Sequence, residues 1–324
     1  MKNKVYLTLK GAAMGVAETI PGVSGGTIAF ITGIYEQLIN SIKAFQPSLI
    51  TTFRKDGFGA VWEKINGNFL VFLLGGMVLG LGFGLVAVDY FLTNYPPIVW
   101  AFFFGLIIAS IIYVGKQIKN WNIGTVVVFL VGAAIAYGIT ILPIAQANDN
   151  LLFVFFCGAV AVSALLLPGI SGSFILLILG MYQFILHDTL KDGVLVQRDM
   201  HSIIIMATFG IGMIVGLAIF SRVLSWALSK HHTITLAVLA GFMLGALNKL
   251  WPWRIPTVIM DEEGVVHNFV TGMHVDKIIK EVNVLPAQYS TELSEPAFVI
   301  PVIISLVIGF ALVMILDSKS EVEL

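Results

Sequence analysis

Apolar residues occur along this chain in long, nearly uninterrupted runs. A helix needs about 17–25 such residues to cross the hydrocarbon layer of a bilayer, and six runs are long enough or nearly so. None of them alternates apolar and polar residues, as an outer-membrane β-strand would. The pattern therefore predicts transmembrane helices at 69–92, 98–114, 122–142, 202–228, 233–249 and 296–316.

The composition supports a bilayer rather than a large soluble core. Hydrophobic residues make up 58% of the 324 positions and charged residues only 11%, whereas a soluble domain carries about 25% charged residues. The single cysteine, Cys157, has no partner for a disulfide, and the histidines show no metal-ligand spacing. We therefore expect a membrane protein with no metal, no cofactor and no nucleic-acid partner.

The chain contains an internal repeat. The segment 21–26, Pro-Gly-Val-Ser-Gly-Gly, returns 147 residues later as 168–173, Pro-Gly-Ile-Ser-Gly-Ser. A second match, 76–81 with 212–217, has an offset of 136. Chance similarity between apolar helices explains single glycine matches but not an ordered series. The order therefore indicates a duplication, with a longer connector in the first half.

Each repeat begins with a segment that proline and glycine break in the middle. Proline lacks a backbone donor and glycine tolerates unusual dihedral angles, so each motif ends a helix at the tip of a hairpin. The arms are mostly too short for a full crossing, which predicts a re-entrant hairpin. Three crossings per repeat then place the second copy upside down relative to the first, an arrangement typical of secondary transporters. The predicted units are 1–149, with a hairpin at 5–45, and 150–324, with a hairpin at 151–187 and an external cap at 250–295.

The basic residues give the orientation. With the N-terminus inside, 12 of the 18 Lys and Arg residues fall on internal segments, as the positive-inside rule requires. The remaining six lie on external segments that also carry many acidic residues. We therefore predict a multi-pass protein of a bacterial or archaeal cytoplasmic membrane with both termini in the cytoplasm.

The two hairpin tips carry groups suited to an anion. A helix that begins at each break offers free N–H groups and about half a positive charge. Glycines let a ligand approach these groups, and hydroxyls add donors. Helix capping and close packing explain one such tip, whereas two copies in inverted units favour a binding site. The predicted binding residues are Ser24, Gly25, Gly26, Thr27, Ser171, Gly172 and Ser173.

Two charged residues of the first hairpin and one near the inner end of the span 202–228 are further candidates. An ionisable group at membrane depth is costly and is usually functional. Glu18 precedes the first tip and Glu36 follows it, whereas the second repeat has Leu165 and Gln183 there. We expect Glu18, and secondly Glu36, to couple transport to an ion, although Glu36 could equally extend to the surface. Arg222 could contact a phosphate or serve as a positive-inside anchor.

With these residues assembled, the chain resembles the bacterial and archaeal polyprenyl-phosphate transporter family. The resemblance rests on Lys10-Gly11, on 17–27, 33–36 and 168–173, and on Trp251-Pro252-Trp253. Glu18 stands where aspartate is more usual, which keeps the carboxylate. The resemblance implies a flippase that returns undecaprenyl phosphate to the cytoplasmic leaflet for peptidoglycan and other cell-envelope synthesis. Its partners would be the polyprenyl phosphate lipid, the bilayer and, as a hypothesis, protons.

Two other functions stay open at this point. A small-anion channel or secondary anion transporter would also place Ser- and Gly-rich helix ends near the membrane centre. An intramembrane enzyme acting on lipid phosphates would need a nucleophile with a base, or a cluster of carboxylates and histidines. The sequence shows no such pattern, and we predict that the protein is not an enzyme.

Overall fold

The structure is a computed structural model that describes residues 2–20, 23–142, 144–260, 266–270 and 277–320. It is predominantly helical, as predicted, with one small sheet. The helices of the first half are α1 (Lys2–Glu18), α2 (Gly25–Ile31), α3 (Tyr35–Lys43), α4 (Ser48–Lys64), α5 (Gly67–Asn94), α6 (Pro96–Gln117) and α7 (Ile123–Thr140).

The second half begins with a similar series. Its helices are α8 (Leu151–Leu166), α9 (Gly172–Ile178), α10 (Met181–Gln183) with a π-helical continuation (Phe184–Gln197), α11 (Met200–Lys230), α12 (His232–Ala246) with a 3-10 turn (Leu247–Leu250), α13 (Pro286–Leu293) and α14 (Val299–Ser320). The strands are β1 (Arg254–Met260), β2 (Val266–Asn268) and β3 (Lys277–Asn283).

The long helices coincide with the predicted spans. Within the described residues, α5, α6, α7, α11 and α12 with its 3-10 turn are long and apolar enough to cross a bilayer. The apolar part of α14, Val299–Ile315, is slightly shorter. Several ends follow from local chemistry, since the Asn122 carboxamide accepts a hydrogen bond from the Thr125 N–H and so caps α7. The predicted multi-pass helical membrane fold is confirmed.

Matching glycines of the two halves make matching contacts. A Cβ atom built on Gly11 would lie 2.1 Å from the Leu73 carbonyl oxygen, and one built on Gly158 would lie 2.4 Å from the Phe209 carbonyl oxygen. Gly11 and Gly158 are 147 residues apart, and Leu73 and Phe209 are 136 apart, the same offsets as the sequence matches. The helix pairs α1–α5 and α8–α11 therefore use equivalent glycines for backbone-to-backbone packing.

The remaining spans pack across the two halves. Helix α6 packs along α14, and α7 packs along α12. Glycines again allow the close approach, because a Cβ atom on Gly105 would lie 2.0 Å from the Leu306 carbonyl oxygen and one on Gly241 would lie 2.2 Å from that of Phe129. Each half thus contributes two helices to a shared four-helix frame.

Helix α3 lies against helices of the second half of the chain. The Lys43 amine, at the end of α3, donates to the Ser225 hydroxyl near the end of α11. The Glu36 carboxylate lies 3.5 Å from the His232 imidazole at the start of α12. We call the face where α3, the end of α11 and the start of α12 meet the base face.

The small sheet covers the opposite face, which we call the cap face. Its strand order is β2-β1-β3, with both pairings antiparallel. The Trp253 indole N–H donates to the Ala297 carbonyl just before α14, and the Trp251 indole N–H donates to the Val284 carbonyl after β3. The sheet and α13 form a cap within the predicted range 250–295.

Two segments contain helix that the sequence did not predict. The connector before the first span forms α4, none of whose residues is buried, and Gly57 interrupts it with a φ of 78°. The predicted end of the second hairpin, at 187, lies inside the π-helical segment, which continues to Gln197. Polar residues broke the apolar pattern in both segments, so the sequence did not indicate helix.

Candidate functional site

The two breaks meet inside the protein. The Ser24 hydroxyl donates to the Leu165 carbonyl at 3.1 Å, and the Gly169 N–H donates to the Thr27 hydroxyl at 3.0 Å. The Tyr35 hydroxyl donates to the Leu166 carbonyl at 2.7 Å. Backbone groups that the second break leaves without a helical partner are thus satisfied by side chains of the first hairpin.

The first tip binds a carboxylate of its own chain. The Gly25 N–H donates to Glu18 Oε1 at 2.6 Å, and the Gly26 N–H donates to the Ser24 hydroxyl at 3.0 Å. A Cβ atom on Gly25 would lie 2.7 Å from Glu18 Oε1, so a side chain there would push the carboxylate away. The start of α2 can therefore hold an acceptor oxygen, and the Glu18 carboxyl group supplies it in this conformation.

The second tip has hydroxyls but no carboxylate. Ser171 precedes α9 without capping it, and its hydroxyl lies 2.7 Å from that of Ser173. Leu165 stands where Glu18 would be by the repeat offset. Gly172 is buried against the Ala161 carbonyl. The two tips therefore differ in hydrogen bonding as well as in charge, because only the first tip binds a carboxyl group.

Both tips are enclosed in this conformation. Ser24 and Thr27 are fully buried and Ser171 is 1% exposed. Burying so many polar groups is tolerated because the two tips satisfy one another. A ligand can reach these groups only after the tips separate.

Glu36 lies at the base face rather than at a tip. With His232 it lines a cavity of about 260 Å³, together with Ile39, Asn40, Ser225, Leu228 and Ser229. The Ser225 hydroxyl donates to the Asn40 carboxamide oxygen and accepts from the Lys43 amine. This side of the protein thus has a polar cavity large enough for several waters or a phosphate group.

Arg222 also lies near the base face. Its guanidinium donates to the Phe45 carbonyl at 3.1 Å and to the Ala218 carbonyl. It therefore ties the end of α3 to α11, and the structure places it with neither break. Lys10, in contrast, lies within the first hairpin, where its amine donates to the Thr32 carbonyl at 2.7 Å.

A cluster that the sequence did not reveal lies at the cap face. Lys249 and Arg254 both donate to Glu281 Oε2, each at 2.8 Å. The Arg254 guanidinium also stacks 4.2 Å from the centre of the Trp100 ring. Burial raises the pKa of Glu281, but the charges of Arg254 and Lys249 outweigh it and hold that pKa below its ordinary value. Lys249 and Arg254 flank the Trp-Pro-Trp motif in sequence, whereas Glu281 is 27 residues beyond Arg254.

Comparison with known proteins gives a consistent result. Residues 14–267 match the model of a family described as undecaprenyl phosphate translocase-like. A Vibrio cholerae protein named polyprenyl-phosphate transporter is 37% identical over 99% of both chains. A Staphylococcus aureus protein of the same name is 31% identical over 78% of this chain and 88% of its own. No solved structure matches the chain.

Proposed function

Because the chain belongs to the undecaprenyl phosphate translocase-like family, we propose that it transports polyprenyl phosphate, such as undecaprenyl phosphate, across the cytoplasmic membrane. The lipid would return to the inner leaflet for reuse in cell-envelope synthesis. The structural observation that carries the proposal is the meeting of the two breaks, because it places hydroxyl and N–H donors in the interior of a membrane protein. Full-length similarity to a named polyprenyl-phosphate transporter supports the same substrate.

The transporter would consist of two inverted repeats, 1–149 and 150–324. The shared offsets of the glycine contacts support the duplication. Opposite chain directions support the inversion, since α11 ends at the base face, whereas α5 ends near the cap, where the Tyr95 ring lies 5.7 Å from that of Phe298. From the positive-inside rule we infer that the base face would be cytoplasmic and the cap face external.

The phosphate group would bind where the Glu18 carboxylate now lies. Protonation of Glu18 removes its charge and weakens its hydrogen bond with the Gly25 N–H. A phosphate oxygen could then accept from Gly25, while Ser24, Thr27, Ser171 and Ser173 supply hydroxyl donors once the tips separate. Gly26 and Gly172 would keep the backbone accessible.

Proton coupling would address a large electrical cost. A phosphate monoester carries about −1.5 to −2 charges near neutral pH. Moving each charge inward against a potential of 100 mV, negative inside, costs about 2.3 kcal/mol. A proton carried on Glu18 would offset one charge. Glu36, paired with His232 beside the base-face cavity, is the second candidate carrier.

Proteoliposomes containing fluorescent undecaprenyl phosphate would test the function. We expect lipid flux that an inward proton gradient accelerates, and no comparable flux in empty liposomes. Chloride and inorganic phosphate serve as alternative cargo, because a small-anion transporter would carry them without the lipid tail. Flux of these ions with no flux of the lipid phosphate would refute the proposal.

A further inference from the structure

The cap-face cluster of Lys249, Arg254 and Glu281 is mostly buried and contains two cations but one carboxylate. The Lys249 and Arg254 side chains are 23% and 8% exposed, and the Glu281 side chain is 20% exposed. Among the described residues, Glu281 is the one carboxylate in an ion pair with either cation. Two cations that share one carboxylate leave about one positive charge uncompensated, and burial makes such a charge costly.

The cluster also contains an unsatisfied donor. Arg254 Nε is buried and has no hydrogen-bond partner. Buried polar atoms of this kind are uncommon in native proteins. An additional anion beside Arg254 would satisfy both the donor and the excess charge.

The cluster lies next to the second break. Lys249 lines a small cavity with Gly169, Ile170 and Phe174, and the Lys249 amine is 5.4 Å from the centre of the Phe174 ring. Thr140 is on the wall of the same cavity, and its hydroxyl accepts from the Asn248 carboxamide at 2.7 Å. The excess charge is therefore positioned between the cap and the motif that begins α9.

We propose that Lys249 and Arg254 form a phosphate-monoester site at the cap face, which receives the phosphate group before it reaches the second break. This inference rests on the proposed transport of a lipid phosphate. An ammonium group and a guanidinium group are the usual protein donors to phosphate, and a phosphate has three acceptor oxygens. The cavity volume is about 10 Å³, which is room for about one water. A phosphate group is larger than this space. It therefore binds by taking the place of the Glu281 carboxylate beside Lys249 and Arg254.

Displacement predicts opposite effects for two neutralising substitutions. Lys249→Gln removes a donor and should weaken binding of undecaprenyl phosphate about 10-fold, the value of one charged hydrogen bond. Glu281→Gln removes the competing carboxylate and should strengthen binding several-fold. A purely structural ion cluster would give no strengthening in either variant. Lys280→Gln, at the exposed neighbour of Glu281 on β3, is the matched control and should bind like the wild type.

Binding is measured on the purified full-length protein in nanodiscs, with undecaprenyl phosphate, undecaprenol and inorganic phosphate as separate probes. If Glu281→Gln loosens the cap, the rise in melting temperature that each ligand causes is measured instead. A rise that is larger in Glu281→Gln than in the wild type then reports binding at the same site. Competition by inorganic phosphate would assign recognition to the phosphate group. Binding of the lipid without such competition would still support the site, provided that undecaprenol binds more weakly.

The outcomes separate this site from the proposed function. Opposite shifts in Lys249→Gln and Glu281→Gln without lipid transport in proteoliposomes would uphold the site and refute the transport function. Transport by the wild type with unchanged affinity in both variants would overturn the site alone. Equal affinity for undecaprenol and undecaprenyl phosphate would also overturn it.

Discussion

Replacing Glu18 with glutamine tests the proposed proton coupling at the first break. Glutamine keeps the length of the side chain and an amide oxygen that can accept from the Gly25 N–H, but it cannot take up a proton. The wild-type contact is short, 2.6 Å between the Gly25 nitrogen and Glu18 Oε1. A hydrogen bond to a charged group is worth about 1.5–3 kcal/mol, against about 1 kcal/mol for a neutral one. Where Glu18 is ionised, the substitution should therefore loosen the tip by about 0.5–2 kcal/mol.

The magnitude of the coupling follows from the charge moved. One proton carried with the phosphate offsets about 2.3 kcal/mol per 100 mV, which is about 50-fold in the equilibrium distribution of the lipid between leaflets. Wild-type protein should therefore respond strongly to pH gradient and potential. Glu18→Gln should transport the lipid with no dependence on the proton gradient.

The assay is flux of fluorescent undecaprenyl phosphate in proteoliposomes, with the pH gradient and the potential imposed separately. Glu63→Gln on the exposed helix α4 is a matched control, and Glu36→Gln tests the second candidate carrier. A Glu18→Gln protein whose flux rises with the proton gradient as in the wild type would refute the role of Glu18. If Glu36→Gln alone loses the response, the carrier lies at the base face.

Three further outcomes are expected. The double substitution Ser24→Ala with Ser171→Ala should abolish lipid-phosphate transport while expression persists, and wild-type flux would exclude these hydroxyls as ligands. Gly11→Ala should lower the melting temperature of the purified protein because its Cβ atom would lie 2.1 Å from a backbone oxygen, whereas Gly82→Ala, with nothing within 4 Å, should not; equal melting temperatures would contradict the packing argument. The pKa of Glu281 is depressed in the folded state. The ionised Glu281 carboxylate therefore stabilises the cap at any pH above the ordinary carboxyl pKa, and this stabilisation is lost as the pH falls through the depressed pKa. Tryptophan fluorescence should show the cap loosening only in acid for the wild type and already at neutral pH for Glu281→Gln; a cap insensitive to both changes would argue against this ion cluster.

The sequence predicted the spans because a bilayer imposes a length and a composition on each crossing. It also predicted both breaks, since proline and glycine act locally. It did not predict that Ser24 would contact Leu165, because that contact joins residues 141 positions apart. The sequence did not predict the ion cluster at the cap for the same reason. Lys249 and Glu281 are 32 positions apart, and no local sequence pattern connects them.

Helix α4 escaped detection for a different reason. Its charged residues interrupt the apolar pattern, and none of its side chains is buried. An exposed helix without an apolar stripe gives no periodic signal for a sequence-based prediction. The location of Glu36 and Arg222 likewise depended on how α3 packs against α11, which the hydropathy of either helix does not determine.

The packing also limits how the breaks can open. Pairs such as α1–α5 are in backbone contact at Gly11, which leaves no space for one helix to slide along the other, so we expect each hairpin to move together with its long partner helix. Among the described residues, three cross-hairpin hydrogen bonds then hold the breaks together, from Ser24 to Leu165, from Gly169 to Thr27 and from Tyr35 to Leu166. At about 0.5–1.5 kcal/mol net each, separating these three bonds costs about 1.5–4.5 kcal/mol, within the range of a minor state that a ligand can select. A phosphate group that replaces these partners would offset that cost, which makes the opening of the breaks depend on the substrate.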